Sequence, residues 1–329
     1  MHKSLIRWGR AGCAALLGIA GLAGQAHAVD PASFPDKPMR LIVTFPPGGG
    51  TDALARLIAT ELSQSVGQPV IVDNRPGASG NIGAEAVAKS PADGLTLLVV
   101  NSSYAINPAI FRKLPFDARN DLKGVILIAS TPSVIAVPTS SKVRTLGELI
   151  ESAKAAKPVS YASCGNGTPQ HFAGELLRMS TNIHFVHVPY KGCAPALTDV
   201  LGGQVEVSIN TLANTVPHLK SSKLRALAVT SKARVSLLPE VPSVQDLGVS
   251  GYDVDQWFGF LVPAKTPPAI VDKLNAEIGK IVARADIKQK LADRGFAAAT
   301  STPDEFQRII RGDIDRFEQA ARQIGLTAD

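Results

Sequence analysis

Beyond residue 28 the chain has no long unbroken apolar run, so the body of its 329 residues contains no candidate for a membrane-spanning helix, which needs about 20 apolar residues. Lysine and arginine are dispersed among acids rather than gathered in a block, which argues against a nucleic-acid footprint. No low-complexity linker interrupts the chain, so separate lobes would have to be joined by ordered crossings. The ending Gly-Lys-Ser/Thr is missing from the glycine-rich stretches, which argues against nucleotide binding. Cysteine is scarce: of three, Cys13 lies near the N-terminus, leaving Cys164 and Cys193 in the body of the chain.

The N-terminus has the makeup of an export signal. Residues 1–10 carry Lys3, Arg7 and Arg10 with no acid, 11–24 are small and apolar, and Ala26-His27-Ala28 fits a small-x-small cleavage site. Residues 1–28 therefore read as a secretory signal removed before Val29, placing the mature protein outside the cytoplasm. The apolar run is too short to remain as an anchor, and Cys13 precedes it, the wrong side for lipid attachment. Losing the three cations of the signal lowers the formal charge from +6 to +3. The remaining length exceeds what one compact core usually supports, so two lobes are expected.

Along the rest of the chain, apolar runs of strand length alternate with segments of helical periodicity, the pattern of an α/β architecture with largely parallel sheets. Strands are predicted over 39–44, 70–73, 96–101, 124–128, 134–137, 159–162, 185–189, 205–210, 224–229 and 258–262. Helices are predicted over 52–64, 82–90, 146–156, 170–179 and 194–202, and two amphipathic helices, 268–283 and 303–324, end the chain. Pro267-Pro268 and Thr302-Pro303 mark the starts of the last two, because proline is tolerated in a helix's first turn. Crossings between lobes are expected at 130–134 and 252–258.

Two stretches carry the chemistry. In 41–57, LIVTFPPGGGTDALARL, an apolar run breaks at Pro46-Pro47, passes three glycines and enters a helix at Thr51-Asp52. The same design recurs in 159–177, VSYASCGNGTPQHFAGELL, where Thr168-Pro169 opens the helix. A helix start leaves backbone N–H groups unpaired at the positive end of the helix dipole, a ready site for an anion. Two such loops in two halves of one chain suggest a ligand gripped from both sides. Gly48, Gly49 and Gly50 let backbone approach the ligand, and Thr51 and Thr168 can cap or donate. Asp52 either favours the dipole of its own helix or accepts from an amino group or water on the ligand. A further Gly-rich stretch, 75–83, supplies tight turns into the helix from Ile82. Ser102, Ser103 and Tyr104 follow a strand's C-terminal end, where open α/β sheets place ligands, or form an ordinary polar turn.

Pro46-Pro47-Gly48-Gly49-Gly50-Thr51-Asp52 with Ala55-Arg56, Asn74-Arg75-Pro76-Gly77-Ala78-Ser79-Gly80, and Tyr161-Ala162-Ser163-Cys164-Gly165-Asn166-Gly167-Thr168 with His171 are similar to segments of one known family. So are Val188-Pro189-Tyr190-Lys191-Gly192, Gly202-Gly203-Gln204-Val205, Leu238-Pro239-Glu240-Val241-Pro242-Ser243 and Trp257-Phe258-Gly259. In this order and behind a signal they resemble the Bug, or tripartite tricarboxylate transporter (TctC-like), receptor family across nearly the whole mature chain.

The resemblance implies a two-lobed periplasmic binding protein of type II, the Venus-flytrap class, each lobe a mostly parallel sheet flanked by helices. Residues 29–131 would begin lobe one, 132–252 form lobe two, and 253–329 return to lobe one with the C-terminal helices. A small carboxylate would sit in the interlobe cleft, held mainly by backbone N–H groups and hydroxyls of lobe two, with no obligatory arginine clamp. Together with the residue reading above, the candidate contacts are Pro47, Gly48, Gly49, Thr51, Asp52, Ser102 and Ser103 from lobe one. From lobe two come Ser163, Cys164, Gly165, Gly167, Thr168, Lys191, Gly192 and Asn210, with Asp255 at the return crossing. No cofactor, metal or enzymatic activity is implied. The expected form is a monomer whose loaded state engages membrane transporter subunits or, alternatively, the periplasmic domain of a sensor kinase.

Cys164 and Cys193 stand where the family pattern more often has a small residue. In an oxidising compartment they read as a disulfide tying two cleft loops, which would close a loop of about thirty residues and contribute roughly 2–4 kcal/mol. The alternative is two separate thiols, one of them narrowing the pocket. Cys164 or Ser163 with His171 could suggest a nucleophile and base, but no nucleophile-elbow pattern accompanies them. His171 reads instead as a packing residue of its helix. His184 and His187, three apart on a strand, point to opposite faces and make a poor metal pair. Lys191 either reaches the cleft to read a second carboxylate or extends to solvent. Tyr252 and Trp257 either stack on an aromatic acid or fill the hinge.

Overall fold

The computed structural model describes residues 33–154 and 158–327. The expected signal, 1–28, and the end of the helix expected over 146–156 lie outside the described residues. The first sheet starts with three parallel strands, β1 (Met39–Val43), β2 (Val70–Asn74) and β3 (Thr96–Asn101), connected by helices α1 (Gly50–Val66) and α2 (Asn81–Ala88). The apolar runs of β1 and β3 are buried on both faces, which is why they read as continuous rather than alternating, whereas β2 at the sheet edge leaves Ile71 exposed. Helix α3 (Ser103–Ile110) follows β3 directly. No helix is predicted there; Ser102, Ser103 and Tyr104 read as ligand contacts or an ordinary polar turn, and Pro108 interrupts the segment. Ile106 and Ile110, four apart, bury one face of α3 and carry the helix through its proline.

Strand β4 (Leu122–Pro138) joins the lobes. Two strands, 124–128 and 134–137, are predicted in its place, separated by the crossing expected at 130–134. The segment stays extended because its polar groups find partners: Thr131 Oγ1 donates to the Gly295 carbonyl at 2.6 Å, and Ser133 N donates to Thr230 Oγ1 at 2.8 Å. Up to Pro132, β4 pairs antiparallel with β9 (Asp255–Pro263) in the order β2-β1-β3-β9-β4; β10 (Ala297–Ala298) also pairs with β4. From Ser133 onward it pairs with β7 (Val207–Thr211) in the second sheet, whose parallel part is β7, β5 (Val159–Ser163) and β6 (Phe185–Pro189). Strand β8 (Leu224–Val229) also lies antiparallel to β4. Each sheet thus has a parallel part completed by the antiparallel crossing strand. Helices α4 (Leu146–Lys154), α5 (Pro169–Thr181), α6 (Cys193–Leu201) and α7 (Leu212–Lys220) belong to the second lobe.

Thr230 fastens the two crossing strands just inside the second lobe. Its N–H donates to the Ser133 carbonyl and its carbonyl accepts from Val254 N, each at 2.9 Å. Its hydroxyl also donates to the Val254 carbonyl at 2.9 Å.

The chain ends on α8 (Pro268–Ala283), α9 (Ala285–Ala292) and α10 (Pro303–Ile324). Thr302 and Glu305 form a capping box at the start of α10, which fixes its register. Phe306, Ile310, Ile314, Phe317 and Ala321 then line one buried face. Trp257 packs edge-on against Phe306 at 5.3 Å and donates from Nε1 to Asp313 at 2.7 Å. Tyr252, buried, donates to the Ala173 carbonyl at 2.8 Å. Both aromatics, left open by the sequence, are occupied in the protein interior.

Phe306 covers Gly259 so closely that a Cβ there would lie 2.3 Å from its ring and 2.7 Å from the Ile126 carbonyl oxygen. Gly259→Ala should therefore destabilise by about 1–3 kcal/mol through overpacking. Gly312→Ala, on α10 with nothing within 4 Å of the added carbon, should instead stabilise by up to about 1 kcal/mol through helix propensity. Thermal denaturation of both variants checks the opposite signs.

Candidate functional site

Three helix starts converge between the lobes. The first is α1, entered through Phe45–Gly49. Asp52, whose side chain is 5% exposed, shapes this loop: it accepts from Gly48 N at 3.0 Å, Arg56 Nε at 3.0 Å and Asn74 Nδ2 at 2.9 Å. Burial pushes its pKa up, but the hydrogen bonds from Arg56, Gly48 and Asn74 outweigh burial and hold it below the usual value. These partners occupy both carboxylate oxygens, so Asp52 braces the loop beneath the cleft rather than lining it. Gly48 takes a positive φ of 85° and Gly49 caps the helix. Thr51 faces the cleft and accepts from Asn101 Nδ2 at 3.4 Å.

The second start is α5. Thr168 Oγ1 accepts from His171 N at 3.3 Å and donates to the Gly165 carbonyl at 2.7 Å, which folds the preceding loop onto the helix. Beneath this loop lie two imidazoles, His171 and His187, stacked 3.9 Å apart. Gly167 N donates to His171 Nδ1 at 3.3 Å, and Ser163 Oγ lies 2.6 Å from His187 Nε2 while accepting from Gly165 N at 3.1 Å. The Ser163–His187 pair has the spacing of a nucleophile and base, but Ser163 is fully buried under its own loop and presents nothing to a substrate.

The third start is α6, entered through Pro189–Gly192. A disulfide joins Cys164 to Cys193. Gly192 N donates to the Cys164 carbonyl at 3.1 Å, and Asn210 Nδ2 donates to the Cys193 carbonyl at 2.9 Å. Gly165 has to be glycine: its φ is +128° and a Cβ would meet the Tyr190 carbonyl oxygen at 2.7 Å. Across the cleft, Ser79 Oγ donates to the Asn166 carbonyl, and a Cβ on Gly167 would lie 2.6 Å from Ile110. The lobes touch, and the cleft is closed.

Between the three helix starts lies a cavity of about 40 Å³. Of the residues expected from the sequence, Pro47, Gly49, Thr51, Cys164, Thr168, Lys191 and Gly192 line it. Lys191 is the one charged residue among those lining it in the described chain. Gly165 faces an adjoining groove of about 620 Å³, and Gly48 faces a second groove of about 400 Å³. Ser102 and Ser103 are buried at the start of α3. Ser163, Gly167 and Asn210 support the loops from behind. Asp255 lies elsewhere, in a groove beside Lys288 and Phe296.

Asn101, Gln170, Thr211 and Gln256 also line the cavity and were not anticipated. Gln170 Nε2 donates to Ser133 Oγ at 2.9 Å and Gln256 Oε1 at 3.3 Å, linking α5 to both crossing strands. Thr211 and Gln256 neighbour the expected Asn210 and Asp255, and alternation along a strand turns adjacent residues to opposite faces. A polar residue ending an apolar strand, as Asn101 and Thr211 do, is the signal that could have found them.

The family profile described as tripartite tricarboxylate transporter family receptor matches residues 54–326. The chain belongs to that family. Protein BugT of Bordetella pertussis is 36% identical over 318 residues, covering 94% of this chain and 97% of that protein. Among solved structures, R. palustris Rpa4515 with adipate has a TM-score of 0.86 at 35% identity, covering 89% of this chain and 99% of that one. MatC from Rhodopseudomonas palustris with bound malate has a TM-score of 0.81 at 29% identity, covering 87% and 99%. This is a family of two-lobed periplasmic solute-binding receptors, not enzymes. No helix of the described residues is long and apolar enough to cross a membrane.

The stacked imidazoles make the second-lobe loop sensitive to acid. Burial lowers the pKa of His171 from 6.5 to about 4, and burial followed by the nearby His171 lowers that of His187. Below pH 6.5 the unfolded chain binds protons that the folded one refuses, so the stabilisation is complete above that pH and is lost as pH falls through about 4. Asp52, with its lowered pKa, acts in the same direction at still lower pH. The contribution of the two histidines to the melting temperature should therefore be level above pH 6.5 and decline towards pH 4, against an opposite contribution from Asp255, whose carboxyl burial pushes up to about 6. His171→Asn, which keeps an acceptor for Gly167 N without titrating, should flatten that decline in a thermal scan against pH.

Proposed function

We propose that the protein binds a small organic carboxylate between its lobes and delivers it to a tripartite tricarboxylate-type membrane transporter. The observation that carries this reading is the convergence of α1, α5 and α6 N-termini on one cavity. Such a site holds an anion with oriented N–H dipoles, and a bond from N–H to an ionised acceptor is stronger than one to a neutral acceptor. The hydroxyls of Thr51, Thr168 and Thr211 and the amides of Asn101, Gln170 and Gln256 surround the same space. Lys191 at its edge suits a second carboxylate. Adipate and malate in the related structures are both dicarboxylates, which agrees with that arrangement.

Residues 29–131 and 253–329 form one lobe in this reading and 132–252 the other, with closure at the crossings bringing α1 against α5 and α6. Ligand then stabilises the closed state by the contacts that only closure makes. Export would be accompanied by removal of residues 1–28, so mass spectrometry of the periplasmic protein should find a chain starting at Val29; retention of the segment overturns that step.

A thermal-shift scan against acetate, adipate, malate, citrate, glutamate and benzoate, each with its neutral amide as control, tests the binding. An acid at a hundredfold its Kd should add about 2.7 kcal/mol, a rise of several degrees, and its amide should add nothing comparable. In Lys191→Gln the shift with a dicarboxylate should shrink while that with a monocarboxylate is kept. A level response to every acid, from folded protein freed of carried-over ligand, overturns the reading for these acids.

A further inference from the structure

We propose that the Cys164–Cys193 disulfide is a positioning element of the binding site, holding the starts of α5 and α6 in one arrangement so that both present donors to the same ligand. This rests on the carboxylate reading above and concerns how the affinity of that site arises.

The parallel pairing of β5 with β6 ends at Ser163 and Pro189. Beyond it the two strands continue as separate loops into separate helices. Those loops contain Gly165, Gly167 and Gly192, with φ of +128°, +74° and +123°. Glycine loses more backbone freedom on ordering than any other residue, so such loops are costly to hold in one conformation. The Cys193 N–H is the first of α6, that of Ala194 the second, and that of Gln170 the second of α5; first-turn donors have no acceptor within their own helix. Their usefulness to a ligand depends on the spacing between the two helix starts.

Hydrogen bonds from Tyr190 N to the Ser163 carbonyl at 3.3 Å and from Gly192 N to the Cys164 carbonyl at 3.1 Å bring the loops together. The disulfide is the covalent tie beyond them, and it joins the first residue after β5 to the first residue of α6. Cys164 lies four residues before Thr168, the cap of α5, and Cys193 is the first residue of α6. Both line the cavity, and Cys164 also lines the adjoining groove. With the bridge, the loops are ordered before ligand arrives. Without it, ordering them is charged against binding, which lowers affinity. A bridge acting only on overall stability would alter the melting temperature and leave the affinity of folded protein unchanged.

The test is isothermal titration with the same acids on the wild type, on Cys164→Ser/Cys193→Ser, and on Ile310→Val, whose position on α10 is remote from the cavity. Amide hydrogen exchange is followed at 164–170 and 190–195. The expected result is a Kd at least tenfold higher in the double variant, with faster exchange in those two loops, whereas Ile310→Val is less stable but keeps the wild-type Kd.

Should the double variant fail to fold, wild type treated with dithiothreitol replaces it. The bridge takes two electrons and two protons to become two thiols while the dithiol closes into a cyclic disulfide; reoxidation should then restore the original Kd. A Kd within twofold of wild type in the bridge-free protein overturns the positioning role and leaves the carboxylate reading intact. Wild type that binds none of the acids overturns both.

Discussion

The first turn of an α-helix leaves backbone donors without acceptors, and this chain aims three such turns at one small volume. Most features of the cleft answer to that constraint. The donors must be close to the ligand, so the loops before them are rich in glycine. They must stay in place, so each loop is held from behind by side chains that do not reach the ligand space: Asp52 under the α1 loop, the histidine stack under the α5 loop, and Asn210 on the first carbonyl of α6. In the proposed reading the dipoles supply most of the positive potential, with Lys191 as the one charged lining residue in the described chain.

Asp52 shows why a carboxylate is compatible with an anion site. Its charge is matched by Arg56 and by two amide donors, and its work is to hold Gly48 in a left-handed turn. His171 and His187 follow the same rule with the opposite charge logic. They stay neutral because burial disfavours the cation, and Nδ1 of His171 keeps its lone pair for Gly167 N. A protonated ring would have no acceptor to offer and would face a second imidazole 3.9 Å away.

Much of the fold was legible because hydrophobic periodicity and turn chemistry agree locally. Strands 96–101, 185–189 and 224–229 and helices 268–283 and 303–324 have the bounds read from the sequence, the last because Thr302, Pro303 and Glu305 together make a strong start signal. Helices α3 and α7 were missed because each contains a proline, Pro108 and Pro217, and is stabilised by tertiary burial rather than by propensity. In the candidate site the glycine loops were visible, since their conformation is written in glycine and proline. The polar residues at strand ends were harder. Asn210 and Asp255 lie one position away from Thr211 and Gln256, and choosing between neighbours requires the strand's facing, which depends on pairing partners distant in sequence. The partners of Gln170, on β4 and β9, are likewise distant in the chain.

Thr230 binds both crossing strands at one level, Ser133 on β4 and Val254 just ahead of β9. The connection between the lobes is therefore a two-stranded ribbon clamped at its second-lobe end, like a leaf spring set in a vice. Such a ribbon is stiff to stretching and to sliding of one strand past the other, and compliant to bending and twisting. In the proposed closing motion such a ribbon would channel relative movement of the lobes into few degrees of freedom and bring the two faces of the cleft back to the same alignment.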